Sequence, residues 1–208
     1  SLFREGGKST GDNLVVSDRP LDHAIWSFSP GAELPKDKQI HTVCGFAHVH
    51  EQFGEKKYDE DPLGQAITFQ RCINPSCASI SLSDEDECVV CGGAVKLFPL
   101  YQPKGFRTVG EPRDYDGQRA RGPSILPPVL AFTPSYEDGL RLGAAQFALT
   151  SLREIALVND NKGEMFVFRK RRDTVVVKDE RLYNKEIYRK LDQQEMEVIG
   201  TGAIGTVF

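Results

Sequence analysis

Hydrophobic and polar positions alternate along this chain in a way that predicts many short strands and little helix. The helical exception is Asp18 to Phe28, where Leu21, Ala24, Ile25 and Phe28 share one face at helical spacing. Pro20 stands near its first turn and Ser29-Pro30-Gly31 ends it. Trp26 and His23 read as packing residues. Lys38 to Ala47 predicts a strand with a bulge at Gly45, and Cys44 within it behaves as a small buried hydrophobe. Ala66 to Arg71 and Val95 to Leu100 predict two more strands. An Asn/Asp/Gly-rich turn between Ile155-Ala156-Leu157 and Met165-Phe166-Val167-Phe168 predicts a hairpin, with Thr174 to Val177 as a third strand. The close, Val198 to Ile204, predicts a strand broken by glycines. Residues 1–20 predict extended chain or loop, 51–65 and 110–127 loops, Tyr101 to Arg107 a turn, and Arg181 to Met196 a surface helix or helix-like stretch. No internal repeat is present. The expected fold class is α+β, with mixed and antiparallel sheets and an inserted four-cysteine zinc ribbon.

The ribbon comes from the cysteines. Cys72 and Cys77, then Cys88 and Cys91, fall within twenty positions as two close pairs. A short intrapair spacing lets two thiolates of one turn reach one ion, and a hairpin between the pairs brings the others across, which is the tetrahedral soft-ligand set of zinc. Gly92 and Gly93 follow the last ligand. The alternatives are two disulfides or four unlinked thiols. Four cysteines close the metal's shell and leave no open position for a reacting water, so the expected cofactor is one structural Zn2+ per chain. Asp84 to Glu87, just before Cys88, read as a solvated acidic tip. The division this suggests is 1–65, the N-terminal helix and strand of the core; 66–100, the ribbon; and 101–208, a loop and the strand-rich remainder.

Composition narrows the function classes. The 208 residues are 39% hydrophobic and 27% charged, with a net charge of −4. That argues against wholesale coating of nucleic acid while leaving room for a local basic groove. No apolar run is long enough for a membrane span, and the first residues lack a signal peptide's apolar stretch. Reduced, metal-binding cysteines point to the cytoplasm. The ends read like those of a fragment from a longer protein. Gly7-Lys8-Ser9-Thr10 imitates a phosphate-binding loop, but Leu2 stands where its first glycine belongs. His48 and His50 read as surface or structural histidines. The cations that remain as nucleic-acid candidates are Lys104, Arg107, Arg113, Arg119, Arg121 and the run Arg169, Lys170, Arg171, Arg172.

Several segments, in order, resemble one family. Pro20-Leu21-Asp22-His23-Ala24-Ile25 through Ser29-Pro30-Gly31-Ala32-Glu33, then Val43-Cys44-Gly45, resembles the "AI…PGAE…G" stretch of a helicase-associated C-terminal region labelled domain of unknown function 1998. The four-cysteine block follows, then Pro103-Lys104-Gly105-Phe106-Arg107, similar to its "P-x-GF" element. Asn159-Asp160-Asn161-Lys162-Gly163-Glu164 to Phe168 resembles its "N-D-N-x-G-x-x-F-x-F" hairpin. Such regions close superfamily 2 DEAD/DEAH-box helicases, including DNA-repair helicases, and occur in DISARM-type anti-phage proteins. The resemblance implies a zinc-stabilised accessory domain of a nucleic-acid-dependent ATPase, with a helicase motor, in cis or in trans, as partner. The motor's own motifs are absent from this sequence, so no ATP hydrolysis and no small-molecule substrate are expected of it. Two readings stay open: a module whose basic residues contact DNA phosphates, with Phe106 or Tyr115 stacking on bases, and a docking scaffold without nucleic-acid binding.

Overall fold

A computed structural model describes residues 1–4, 15–47, 49–52, 55–58, 61–82, 85–117, 120, 129–131, 140–142, 145–147, 155–171, 174–178 and 197–208. The strands are β1 (Leu2–Arg4), β2 (Val15–Ser17), β3 (Glu33–Lys36), β4 (Gln39–Phe46), β5 (Val49–Gln52), β6 (Glu55–Tyr58), β7 (Ile67–Cys72), β8 (Ile80–Ser81) and β9 (Val95–Tyr101). They continue as β10 (Phe106–Thr108), β11 (Arg113–Asp114), β12 (Val129–Ala131), β13 (Leu140–Leu142), β14 (Ala145–Phe147), β15 (Ala156–Asn159), β16 (Phe166–Arg171), β17 (Thr174–Lys178) and β18 (Glu197–Val207). One α-helix, α1 (Leu21–Ser27), is present among the described residues. The predicted surface helix at 181–196 and the Gly7-Lys8-Ser9-Thr10 imitation lie outside them. The fold is of the expected class: mostly β, mixed and antiparallel, with one helix packed on it.

The main sheet runs β2-β1-β10-β4-β17-β16-β18-β9-β7-β8, with β3 and β11 also on β4, and β15 on β18. Its pairs are antiparallel except β1 with β10 and β9 with β18. Phe28, Phe46, Phe106, Phe166 and Phe168 fill the larger core, into which α1 inserts Ala24 and Ile25. Neighbouring rings in that chain of phenylalanines meet edge-on or tilted, at 5.7 to 5.9 Å between centroids. A second cluster joins Phe69, Ile80 and Leu100 of β7, β8 and β9 to Ala156, Val158 and Ala203. The bulge expected at Gly45 is there: Arg107 faces Gly45 and Thr108 faces Val43, leaving Cys44 as the extra, fully buried residue.

Three expectations change. The stretch 1–20, expected as extended chain or loop, contains β1 and β2, and the loop expected over 51–65 contains most of the hairpin β5–β6. Strands of three or four residues, some with mainly polar side chains, carry too few positions for alternation to register. The hairpin expected around 158–164 is not one. β15 and β16 both run antiparallel to β18, in the registers Asn159↔Ile204 and Phe166↔Gly202. They therefore run in the same direction, along successive stretches of β18. Residues 160–165 are an excursion between them, built on a 3-10 turn with Asn161, Lys162 and Met165 at positive φ. Finally, the glycines of β18 do not break it. The strand is continuous over eleven residues. A Cβ on Gly202 would lie 2.6 Å from the Pro99 carbonyl oxygen, and one on Gly205 would lie 2.5 Å from that of Leu157. These glycines let neighbouring backbones close in on both sides of β18.

Candidate metal centre

β7 and β8 form a hairpin and β9 pairs with the other edge of β7, so three strands rise to two knuckles. In the first knuckle the Cys72 amide donates to Ser79 O (2.9 Å), and the Cys77 and Ala78 amides both donate to Asn74 O (3.0 and 2.9 Å). The Asn74 side chain accepts from the Ser76 amide at 3.0 Å, an Asx turn that suits Asn-Pro-Ser. The second knuckle closes with the Cys88 amide on Gly93 O (2.8 Å) and the Gly92 amide on Cys88 O (2.7 Å). Main-chain turns thus aim the thiols without help from the rest of the protein.

All four Sγ atoms lie within 4.8 Å of one another. Two close approaches run between knuckles: Cys72 to Cys91 at 3.6 Å and Cys77 to Cys88 at 3.8 Å. A tetrahedron with Zn–S bonds of ~2.3 Å has S···S edges of ~3.8 Å, so the spacing fits a four-thiolate ion. It is far too long for disulfides, whose sulfurs bond at ~2.05 Å, and none of the five cysteines is in a disulfide. The Ser79 hydroxyl, which sequence reasoning passed over, stands 3.0 Å from Cys88 Sγ and 3.4 Å from Cys77 Sγ. Its hydrogen bond draws the Cys88 thiol down to about 6 and lowers Cys77 as well. Burial pushes Cys72 up to about 12. A divalent ion would deprotonate all four. Of the expected acidic tip, Glu85, Asp86 and Glu87 are exposed, and Asp84 lies outside the described residues.

The ribbon is tied to the core at a place the sequence did not flag. Arg71, next to the first ligand, pairs with Asp160 in the 160–165 excursion. Its neighbour Asn159 donates from Nδ2 to Ile25 O of α1 at 2.9 Å. Asn161 donates from Nδ2 to Met165 O at 3.0 Å and holds the excursion closed. The Asn-Asp-Asn triplet is thus a junction between ribbon, helix and main sheet. Its composition resembles a turn, and only the long-range partners distinguish the two.

Among the described residues the basic candidates are not gathered into one face. Lys104 is exposed, whereas Arg107 is 2% exposed on β10, so a phosphate could reach its guanidinium only after rearrangement. Arg113 donates to Glu33 at 3.2 Å and to Asp116 at 3.4 Å. Lys170 donates to Asp61 at 2.8 Å. Arg169 is partly buried, and strand alternation sends it and Lys170 to opposite faces of β16. Arg171 ends that strand; Arg119, Arg121 and Arg172 lie outside the described residues. The ribbon also exposes apolar side chains, Ile73 and Val90 in the two knuckles and Leu97 on β9, beside the exposed Lys96 and Glu85 to Glu87.

No protein-family model, curated protein or solved structure matches the chain. No helix among the described residues is long and apolar enough to cross a membrane.

Proposed function

We propose that the chain is a zinc-stapled, non-catalytic accessory domain of a nucleic-acid-dependent ATPase, working in the cytoplasm, and that its ribbon docks on the motor. The observation that carries this reading is the four-thiol cluster, which fills a tetrahedral shell and stands between two exposed knuckles bearing Ile73 and Val90. A filled shell offers rigidity rather than catalysis. Exposed aliphatic side chains at the end of a rigid hairpin suit a protein partner, because burying each removes apolar surface from water without a polar desolvation cost. The resemblance to helicase-associated C-terminal regions names the motor as that partner. The carboxylate partners of Arg113 and Lys170 favour docking over phosphate contact, since a phosphate would have to displace them.

The test is binding of the zinc-loaded chain to the ATPase motor of its own protein or of its gene neighbour. Ile73→Asp and Val90→Asp should each weaken binding by roughly tenfold or more, the effect of a central apolar anchor. Wild-type affinity in both variants would overturn the docking surface. The second reading, DNA contact, draws on exposed Lys104 and the run 169–172. It is measured with single-stranded and duplex DNA over a salt series. A steep fall with salt, lost when Arg169, Lys170, Arg171 and Arg172 become Ala, would put that reading first.

A further inference from the structure

At the far end of the strand order from the metal centre, β1, β2, β3 and β4 enclose a polar cleft of about 320 Å³. That volume is at the small end of ligand sites, which run ~300–1,000 Å³. Arg4 from β1, Lys36 from β3 and His41 from β4 line it, and Val15, Val16, Gln39 and Asp37 are the other described residues of its wall. The three basic side chains arrive from three different strands. Lys36 is held in position by donating from Nζ to Val15 O at 3.2 Å. The β3–β4 turn that presents it has Asp37 and Lys38 at positive φ, a tight two-residue reversal. His41 is 5% exposed, and its Nδ1 has no hydrogen-bond partner among the described residues. A buried ring nitrogen without a partner is an unusual expense unless a ligand answers it.

We propose that this cleft binds a phosphate group, held by Arg4, Lys36 and His41. A guanidinium fork, an ammonium and an imidazole N–H converging from three strands match a tetrahedral oxyanion with several free oxygens. A carboxylate offers only two oxygens in one plane and is satisfied by an arginine alone. Among the described residues Asp37 is the one carboxylate in the wall, and these residues carry an excess of positive charge even with His41 neutral. Burial, then the charges of Arg4 and Lys36, holds the His41 imidazolium below its ordinary range, with Asp37 opposing. A bound anion would offset both causes. The cleft does not depend on the docking reading, since none of its residues belongs to the ribbon.

The test uses the zinc-loaded chain and inorganic phosphate, followed by 31P line broadening and by the His41 ring signals. Wild type should bind phosphate and shift His41. Arg4→Gln and Lys36→Gln, at partly or fully exposed positions, should each weaken binding by roughly ten- to a hundredfold, the worth of one charge-assisted hydrogen bond. Lys162→Gln, outside the cleft, should bind as wild type does. Two further arms separate the sources of the phosphate. A mononucleotide that competes while an unphosphorylated-end oligonucleotide does not identifies a free or terminal phosphate; competition by both identifies a backbone phosphodiester. No binding, equal binding of acetate, or wild-type affinity in both Gln variants would overturn the proposal.

Discussion

Removing the Asp160 carboxylate should cost this protein far more than an ordinary loop substitution. Asp160 is buried, and its partner Arg71 has a side chain 22% exposed beside Cys72. Breaking a fully buried pair by deleting one partner costs ~3–5 kcal/mol, mostly from the charge left behind. Water can still reach part of the Arg71 guanidinium, so we expect ~2–3 kcal/mol for Asp160→Ala. For a chain of this length that is a drop of about 4–12 °C in Tm. The main-chain bonds from the Gly163 and Met165 amides to Asp160 O do not need the side chain, so the excursion itself should persist. Urea unfolding with zinc in excess, followed through the single tryptophan, Trp26 of α1, gives the difference directly. Arg71→Met keeps the aliphatic stem and closes the double-mutant cycle with a coupling of ~1–3 kcal/mol. A loss below ~0.5 kcal/mol, the scale of a surface substitution, or strict additivity in the cycle would refute the junction.

Metal analysis should return one zinc per chain, and Cys88→Ser should lose both the metal and cooperative unfolding of the ribbon; a metal-free protein with an unchanged melting curve would contradict this. Gly205→Ala places a methyl 2.5 Å from Leu157 O and 2.6 Å from Leu100 Cδ1, so β18 must part from a neighbour. The expected loss is ~3 kcal/mol, near the top of the overpacking range because backbone cannot step aside, and a loss under ~1 kcal/mol in urea would count against it. His41 gives a pH signature in phosphate-free buffer. Its folded pKa is lowered, so between that value and the ordinary 6.5 the unfolded chain binds more protons. Stability should therefore rise with pH across that window and level off above it, and His41→Asn should lose that part of the slope. An identical slope in the variant would show that His41 does not carry it.

Local signals were enough for some of this. The helix over Leu21–Ser27, the long strand Gln39–Phe46 with its irregularity at Gly45, and the two ribbon strands follow from periodicities whose physics is confined to neighbouring residues. The four cysteines are legible for the same reason. Knuckle turns are closed by main-chain bonds within a few positions, so intrapair spacing predicts where the thiols point. The excursion at 160–165 was misread because its residues have turn chemistry whichever way the chain leaves them. Whether the next strand folds back or runs on depends on β18, some forty positions downstream.

What the sequence determined by itself is therefore a strand-rich α+β chain with an amphipathic helix over Leu21–Ser27 and a four-thiol ribbon. Tertiary structure alone decided that Arg107 is buried, that Arg113 and Lys170 meet carboxylates, and that Arg71 finds Asp160 eighty-nine positions away. It also decided that Arg4, Lys36 and His41 share a cleft. Charge in a sequence says only that a side chain must be satisfied. Its partner is set by which strands the sheet places side by side, and that order comes from burying the phenylalanine core, a long-range demand no local window contains.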